Sequence, residues 1–159
     1  MSRRPPPPVE PSAAQGRARA EGWLAGPVRE ALAAEGIESE RVSDDPVPTL
    51  RLTIRVPEGS WRCYVRAWDD TPVLGIYGVF PLDTPPPRRA VMAGAVIEAN
   101  RGLDVGNFEF DPDDGELLFK TAIALGDETP SAAIVRAQLR ANIDTLARFY
   151  SALAAIAVL

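Results

Sequence analysis

The sequence predicts an α+β fold with element order α-β-β-β-α-β-β-α, in which one mainly antiparallel five-stranded sheet carries three helices. Three observations carry the prediction. Apolar residues recur at helical spacing near the start, the period changes to two in the middle, and it returns to helical spacing toward the C-terminus. Clusters of Gly, Pro and Asp separate these segments.

The first helix is read from Trp23, Leu24, Val28 and Leu32, with Gly26 and Pro27 marking either its start or a kink, and Gly36 its stop. In "TLRLTIRV", Leu50, Leu52, Ile54 and Val56 face one way and Arg51, Thr53 and Arg55 the other, which is a half-buried strand. "PEGS" turns the chain into "WRCYVRAW", where Cys63, Val65 and Ala67 alternate with Arg62, Tyr64, Arg66 and Trp68. "VLGIYGVF" is apolar on both faces and so reads as a central strand, with Gly75 and Gly78 marking close approach by something packed on it.

Thr84 and three prolines then open a helix over roughly 88–101, stopped by Gly102. "VGNFEF" and "ELLFKTAIAL" are the last two strands. Thr129 and Pro130 open a final helix whose stripe runs through Val135, Leu139, Ile143 or Leu146, Phe149 or Tyr150, Leu153 and Ile156.

At 159 residues, 46% hydrophobic and 25% charged, the chain has the composition of one soluble globular domain. A domain of this size buries about 68 to 70% of the surface of its unfolded chain. Residues 1–16, with Pro5 to Pro8 in a row, are expected to form a disordered proline-rich tail, and residues 17–159 a single α+β domain. The longest apolar run, "ALAAIAVL", is far shorter than the roughly 20 residues of a membrane-spanning helix. "MSRRPPPPVEP" has no apolar core of a secretory signal, so the expected location is the cytoplasm.

The chain contains no histidine, which excludes a Ser-His-Asp triad and His-ligated zinc or haem. Cys63 is the sole cysteine, so no intramolecular disulfide or CxxC site exists, and between Arg62 and Tyr64 it reads as a small core residue. Neither phosphate-binding glycine pattern occurs. No catalytic residue, cofactor or metal is expected.

"FEFDPDDGELLF" is the most acidic stretch, and it poses a choice between a calcium loop and a turn. An EF-hand needs glycine at the sixth loop position and flanking helices, whereas Gly115 is fifth from Asp111 and the flanks are strands. "DPDDG" therefore reads as a hairpin turn, with Asp side chains capping the backbone and Gly115 left-handed.

Two surfaces remain as candidate contact sites. The outward residues of the first two strands, Arg51, Arg55, Arg62, Tyr64, Arg66 and Trp68, form a basic and aromatic face suited to an acidic peptide or to nucleic acid. A net charge of −5 disfavours nucleic acid. In "AVMAGAVIEAN" only Glu98 and Asn100 are polar, so the middle helix is apolar nearly all round. Ala90, Ala93, Gly94 and Ile97 follow i, i+3, i+4, i+7 spacing and are expected to meet a second copy across a twofold axis.

The stretch "IEANRGLDVGNFEFDPDDGELLFKTAIAL" runs from a helix end at Asn100, through Gly106 and Phe108, to an acidic Gly115 turn and the apolar strand Leu117 to Leu125. With the element order, it resembles the bacterial YbjN-type family, whose name is tied to sensory transduction regulation and which shares its fold with class I type III secretion chaperones. The resemblance spans residues 18–159 as architecture. It implies a non-enzymatic, chaperone-like or adaptor-like domain, often dimeric, acting on a protein partner that the sequence does not identify. The proline-rich start and "TPPPRR" depart from the family pattern.

Overall fold

The computed structural model describes residues 13–43, 47–68 and 72–158. Its elements are α1 (Ala13–Trp23), a π turn (Leu24–Val28), α2 (Arg29–Ala34), β1 (Ser39–Ser43), β2 (Thr49–Val56), β3 (Gly59–Trp68) and β4 (Val73–Val79). A 3₁₀ turn (Pro86–Arg88), α3 (Arg89–Arg101), β5 (Asn107–Phe110), β6 (Leu117–Ala124) and α4 (Ala132–Val158) complete it.

Helix α1 runs into α2 without leaving helical dihedrals, and Pro27 is absorbed by the π turn. Proline has no N–H to donate and its ring crowds the preceding turn, so a widened turn lets the helix pass through it. Of the two expectations, a start or a kink at Pro27, the start is excluded, and the helix passes Pro27 through this irregular turn. It begins at Ala13, inside the expected 1–16 tail, and the rest of that tail lies outside the described residues. Gly36, at φ 65, ends it with paired bonds, Ile37 N–H to Leu32 O at 2.9 Å and Gly36 N–H to Ala33 O at 3.1 Å.

Among the described residues the sheet is antiparallel throughout and has six strands in the order β1-β2-β3-β4-β6-β5, one more than expected. The additional strand is β1, which pairs with β2 and is exposed along nearly its whole length. "SERVS" has no buried alternating face, so the periodicity that reveals a half-buried strand is missing from it. Ion pairs secure it instead: Arg41 to Glu21 at 2.5 Å and Arg51 to Glu40 at 2.6 Å.

Strand β4 is central, between β3 and β6, as its two-sided apolar sequence requires. All three helices pack on one face of the sheet. Leu52, Ile54, Cys63, Val65, Leu74, Ile76, Leu117 and Phe119 meet Trp23, Leu24, Val28, Met92, Leu139, Leu146 and Leu153 in one apolar core.

Helix α4 crosses this face over β4 and β6, and its buried side is Val135, Leu139, Asn142, Leu146, Leu153 and Ala157. Asn142, wholly buried, donates from Nδ2 to Ile76 O at 3.0 Å and to Phe119 O at 2.9 Å, joining the helix to both strands. Gly78 makes the room for this contact, because a Cβ there would lie 2.7 Å from Asn142 Oδ1 and 3.1 Å from Leu146. The helix starts two residues later than expected, where Ser131 Oγ accepts the Ile134 N–H at 3.2 Å.

Replacing Asn142 with Ala removes two buried hydrogen bonds and is expected to cost about 1–3 kcal/mol. Leu139→Ala and Leu153→Ala are expected to cost about 2–5 kcal/mol each, as large-to-small core changes do. Urea unfolding followed by tryptophan fluorescence measures all three. Near-zero losses at the two leucines would mean that α4 faces the sheet differently.

Candidate functional site

Among the described residues, one-sided helix packing leaves the opposite sheet face open, and the strand register brings the six expected contact residues together on it. Arg51 lies opposite Tyr64, and Tyr64 opposite Tyr77, which is in turn opposite Lys120. Alongside this row, Arg66 pairs across to Gly75 and Arg62 to Val79, while Arg55 sits at the hairpin end opposite Ser60 and Trp68 at the far end opposite Val73. Arg55 and Arg62 are exposed, and Arg51, Tyr64, Arg66 and Trp68 are half-exposed.

Arg66 is held by the two tyrosines, with its guanidinium carbon 5.2 Å from the Tyr77 ring centre and 5.9 Å from that of Tyr64. The Tyr77 ring lies over Gly75, where a Cβ would come within 2.7 Å of it. The close approaches expected at Gly75 and Gly78 therefore come from opposite sides, a tyrosine outside and α4 inside. Among the described residues, Arg51 is paired with Glu40, whereas Arg55, Arg62 and Arg66 have no carboxylate partner. Lys120 is paired with Glu109.

Tyr77 was not among the expected site residues because "VLGIYGVF" reads as apolar on both sides, which hides the outward polar hydroxyl. Its position two residues beyond Gly75, in register with Tyr64, is the signal that places it. Glu40 was missed together with β1.

On α3, Met92, Val96 and Ala99 are buried against the core. Ala90, Val91, Gly94 and Ile97 face outward, with Val91 51% and Ile97 62% exposed, and Ala93 lies at the boundary. A Cβ on Gly94 would meet no atom within 4 Å. Three of the four residues expected at a subunit contact, Ala90, Gly94 and Ile97, are thus on the exposed side of α3, with Ala93 at its border.

The acidic "DPDDG" stretch is a turn, as expected. Asp111 Oδ1 accepts the Asp113 N–H and Asp114 Oδ1 the Glu116 N–H, each at 2.8 Å. Gly115, at φ 88, presses on Thr84, whose carbonyl oxygen would lie 2.2 Å from any Cβ there. The clamp on this turn is Arg89, at the start of α3. Its guanidinium donates to the carbonyls of Pro112 at 3.1 Å, Asp113 at 2.7 Å and Asp114 at 3.1 Å, and its Nε to Thr84 O at 3.2 Å. Thr84 is tied through its backbone in this way and makes no side-chain cap on the helix.

Cys63 is fully buried, and burial pushes its thiol up to about 12, against weaker lowering by hydrogen bonds from the backbone at Tyr77 and Tyr64. It therefore stays a neutral core group. Because the folded value is raised, the fold keeps its full stability at this group below pH 9 and loses it as pH rises from about 9 toward 12, where only the unfolded thiol ionises.

Fold and surface together define an α+β protein with one sealed sheet face, one open basic and aromatic face, and an apolar outer helix side. The profile of the YbjN family, "Putative bacterial sensory transduction regulator", matches residues 27–155. The chain belongs to this family. A solved structure described as "Crystal structure of YbjN, a putative transcription regulator from E. coli" superposes with a TM-score of 0.56 at 11% identity, covering 80% of this chain and 90% of that one. That likeness establishes a shared fold. No curated protein matches the sequence.

Two outcomes are expected. Arg89→Ala removes charged hydrogen bonds to the turn and should cost about 1.5–3 kcal/mol, with faster amide exchange confined to residues 111–116. Cys63 should react with an aromatic disulfide reagent at pH 8 only at the rate of unfolding, and immediate labelling of native protein would contradict its burial.

Proposed function

We propose that this chain is a non-enzymatic protein-binding module, a regulatory or chaperone-like adaptor that acts as a homodimer and takes an acidic segment of a partner protein on its open sheet face. The observation that carries this reading is the set of arginines without carboxylate partners, Arg55, Arg62 and Arg66, beside Tyr64, Tyr77 and Trp68 on a face that no described helix covers. An acidic partner complements those charges, and the aromatic rings supply contact area at small conformational cost.

Membership of a family named for sensory transduction regulation supports a regulatory role. The resemblance to type III secretion chaperones supports the chaperone-like form of that role. No helix among the described residues is long and apolar enough to cross a membrane. The dimer reading rests on α3. Ala90, Val91, Gly94 and Ile97 present an apolar strip of a kind that monomers seldom leave uncovered. The small residues let two backbones approach across a twofold axis.

Light scattering after size exclusion is expected to give twice the 17.1 kDa chain mass at tens of micromolar, and a mass near 17.1 kDa would remove the dimer. Gly94→Arg is expected to yield folded monomer, since its side chain enters open space in a single chain. An aspartate- and glutamate-rich peptide should bind at low salt and weaken on Arg66→Ala, while single-stranded RNA should not bind. RNA binding in preference to the peptide would replace the acidic-segment reading with a nucleic-acid one.

A further inference from the structure

The open face ends at an unfinished sheet edge. Pro48 accepts the Ala67 N–H, so residues 48, 50, 52, 54 and 56 of this strand direct their main-chain groups to β3, and residues 49, 51, 53 and 55 direct theirs to the other side. Strand β1 occupies that side only as far as the Ser39–Leu52 pair, whereas β2 continues to Val56. The N–H and C=O of Arg55 thus lie past the end of β1. Among the described residues, no turn or loop backbone hydrogen bond reaches residues 53 to 56 from outside the sheet.

A groove of about 830 Å³ runs along this stretch. Its floor, on the core side, is Ile37, Ile54, Val56 and Ile143, and its outer wall is Arg55 and Arg62. The opposite wall carries three carboxylates. Glu35 is engaged by Arg140 at 2.9 Å and Glu40 by Arg51 at 2.6 Å, which leaves Glu38 as the one without an ion-pair partner in the groove. With those pairs set aside, two arginines stand against one glutamate, so the unpaired charge in the groove is weakly positive and lies on the Arg55 and Arg62 side.

We infer that this groove takes an extended acidic segment of the partner as an added strand beside the C-terminal half of β2. The inference rests on the proposed acidic-segment reading and says how the segment is held. Main-chain bonds to Arg55 fix a stretch of about four residues, the length that spans residues 53 to 56 at roughly 3.4 Å per residue. Alternation then sorts the side chains. Acidic ones point to the face that carries Arg55 and Arg62, and apolar ones to the floor at Ile37 and Ile143. The partner segment should therefore alternate acidic and apolar residues.

The test uses the full chain and fluorescent peptides at low salt: blocked Val-Glu-Val-Glu-Val-Glu, the grouped isomer Val-Val-Val-Glu-Glu-Glu, and the alternating peptide N-methylated at every second residue in each register. The alternating peptide should bind at least about tenfold more tightly than the grouped isomer and than the N-methylated form of one register, the loss expected for about one or two main-chain hydrogen bonds. Arg55→Pro, which removes the edge N–H, should weaken binding more than Arg55→Ala, which removes the charge alone. Equal binding of all peptides, with Arg66→Ala still weakening it, would overturn the added strand and leave the open-face reading standing. No binding of any acidic peptide at millimolar concentration would overturn both. Because N-methylation alters only the peptide, the result does not depend on how well the proline variant folds.

Discussion

The buried amide of Asn142 is the contact on which the arrangement depends. A helix of 27 residues lying on a sheet by apolar contact alone can slide or rotate, because dispersion has little direction. The Asn142 Nδ2 ends that freedom by donating to carbonyls on two adjacent strands, Ile76 on β4 and Phe119 on β6. The Nδ2 is worth most where it is, inside the core, since a paired polar group there specifies position, while the Oδ1 of the same amide has no hydrogen-bond partner among the described residues. Gly78 is its necessary companion, leaving the space that the side chain fills.

With α4 fixed, α2 and α3 pack beside it on the same face, and the consequence is asymmetry. Every helix among the described residues lies on one side of the sheet. The other side keeps its arginines and aromatic rings half in solvent, arranged by strand register and by the tyrosines that hold Arg66. Arg89 does comparable work at the edge, binding the acidic turn to the start of α3 through carbonyls alone. The turn's aspartates cap their own backbone.

Legibility in the sequence followed the hydrophobic period. Strands β2, β3, β5 and β6, the turn at Gly115, the burial of Cys63 and the outward set from Arg51 to Trp68 were readable from alternation or a turn glycine, and β4 from being apolar on both faces. Strand β1 was not, since Ser39 to Ser43 is held by main-chain pairing and by Arg41 and Arg51 ion pairs, neither of which leaves a period. The choice between a start and a kink at Pro27 stayed open, because local chemistry permits either and only the packing of Trp23, Leu24 and Val28 in the core decides for a continuing helix. Tyr77 and the Arg89 clamp needed partners distant in sequence.

Hydroxyl-radical footprinting tests the central claim, that the sheet face is the open one and the α3 face the covered one. In the free protein at tens of micromolar, Tyr64, Trp68 and Tyr77 should oxidise readily. Val91 and Ile97 should oxidise far less than their exposure in a single chain implies, and an added acidic peptide should protect the aromatic set alone. Slow oxidation of Tyr64 and Tyr77 in the free protein, with Val91 and Ile97 oxidised at full rate, would contradict the account.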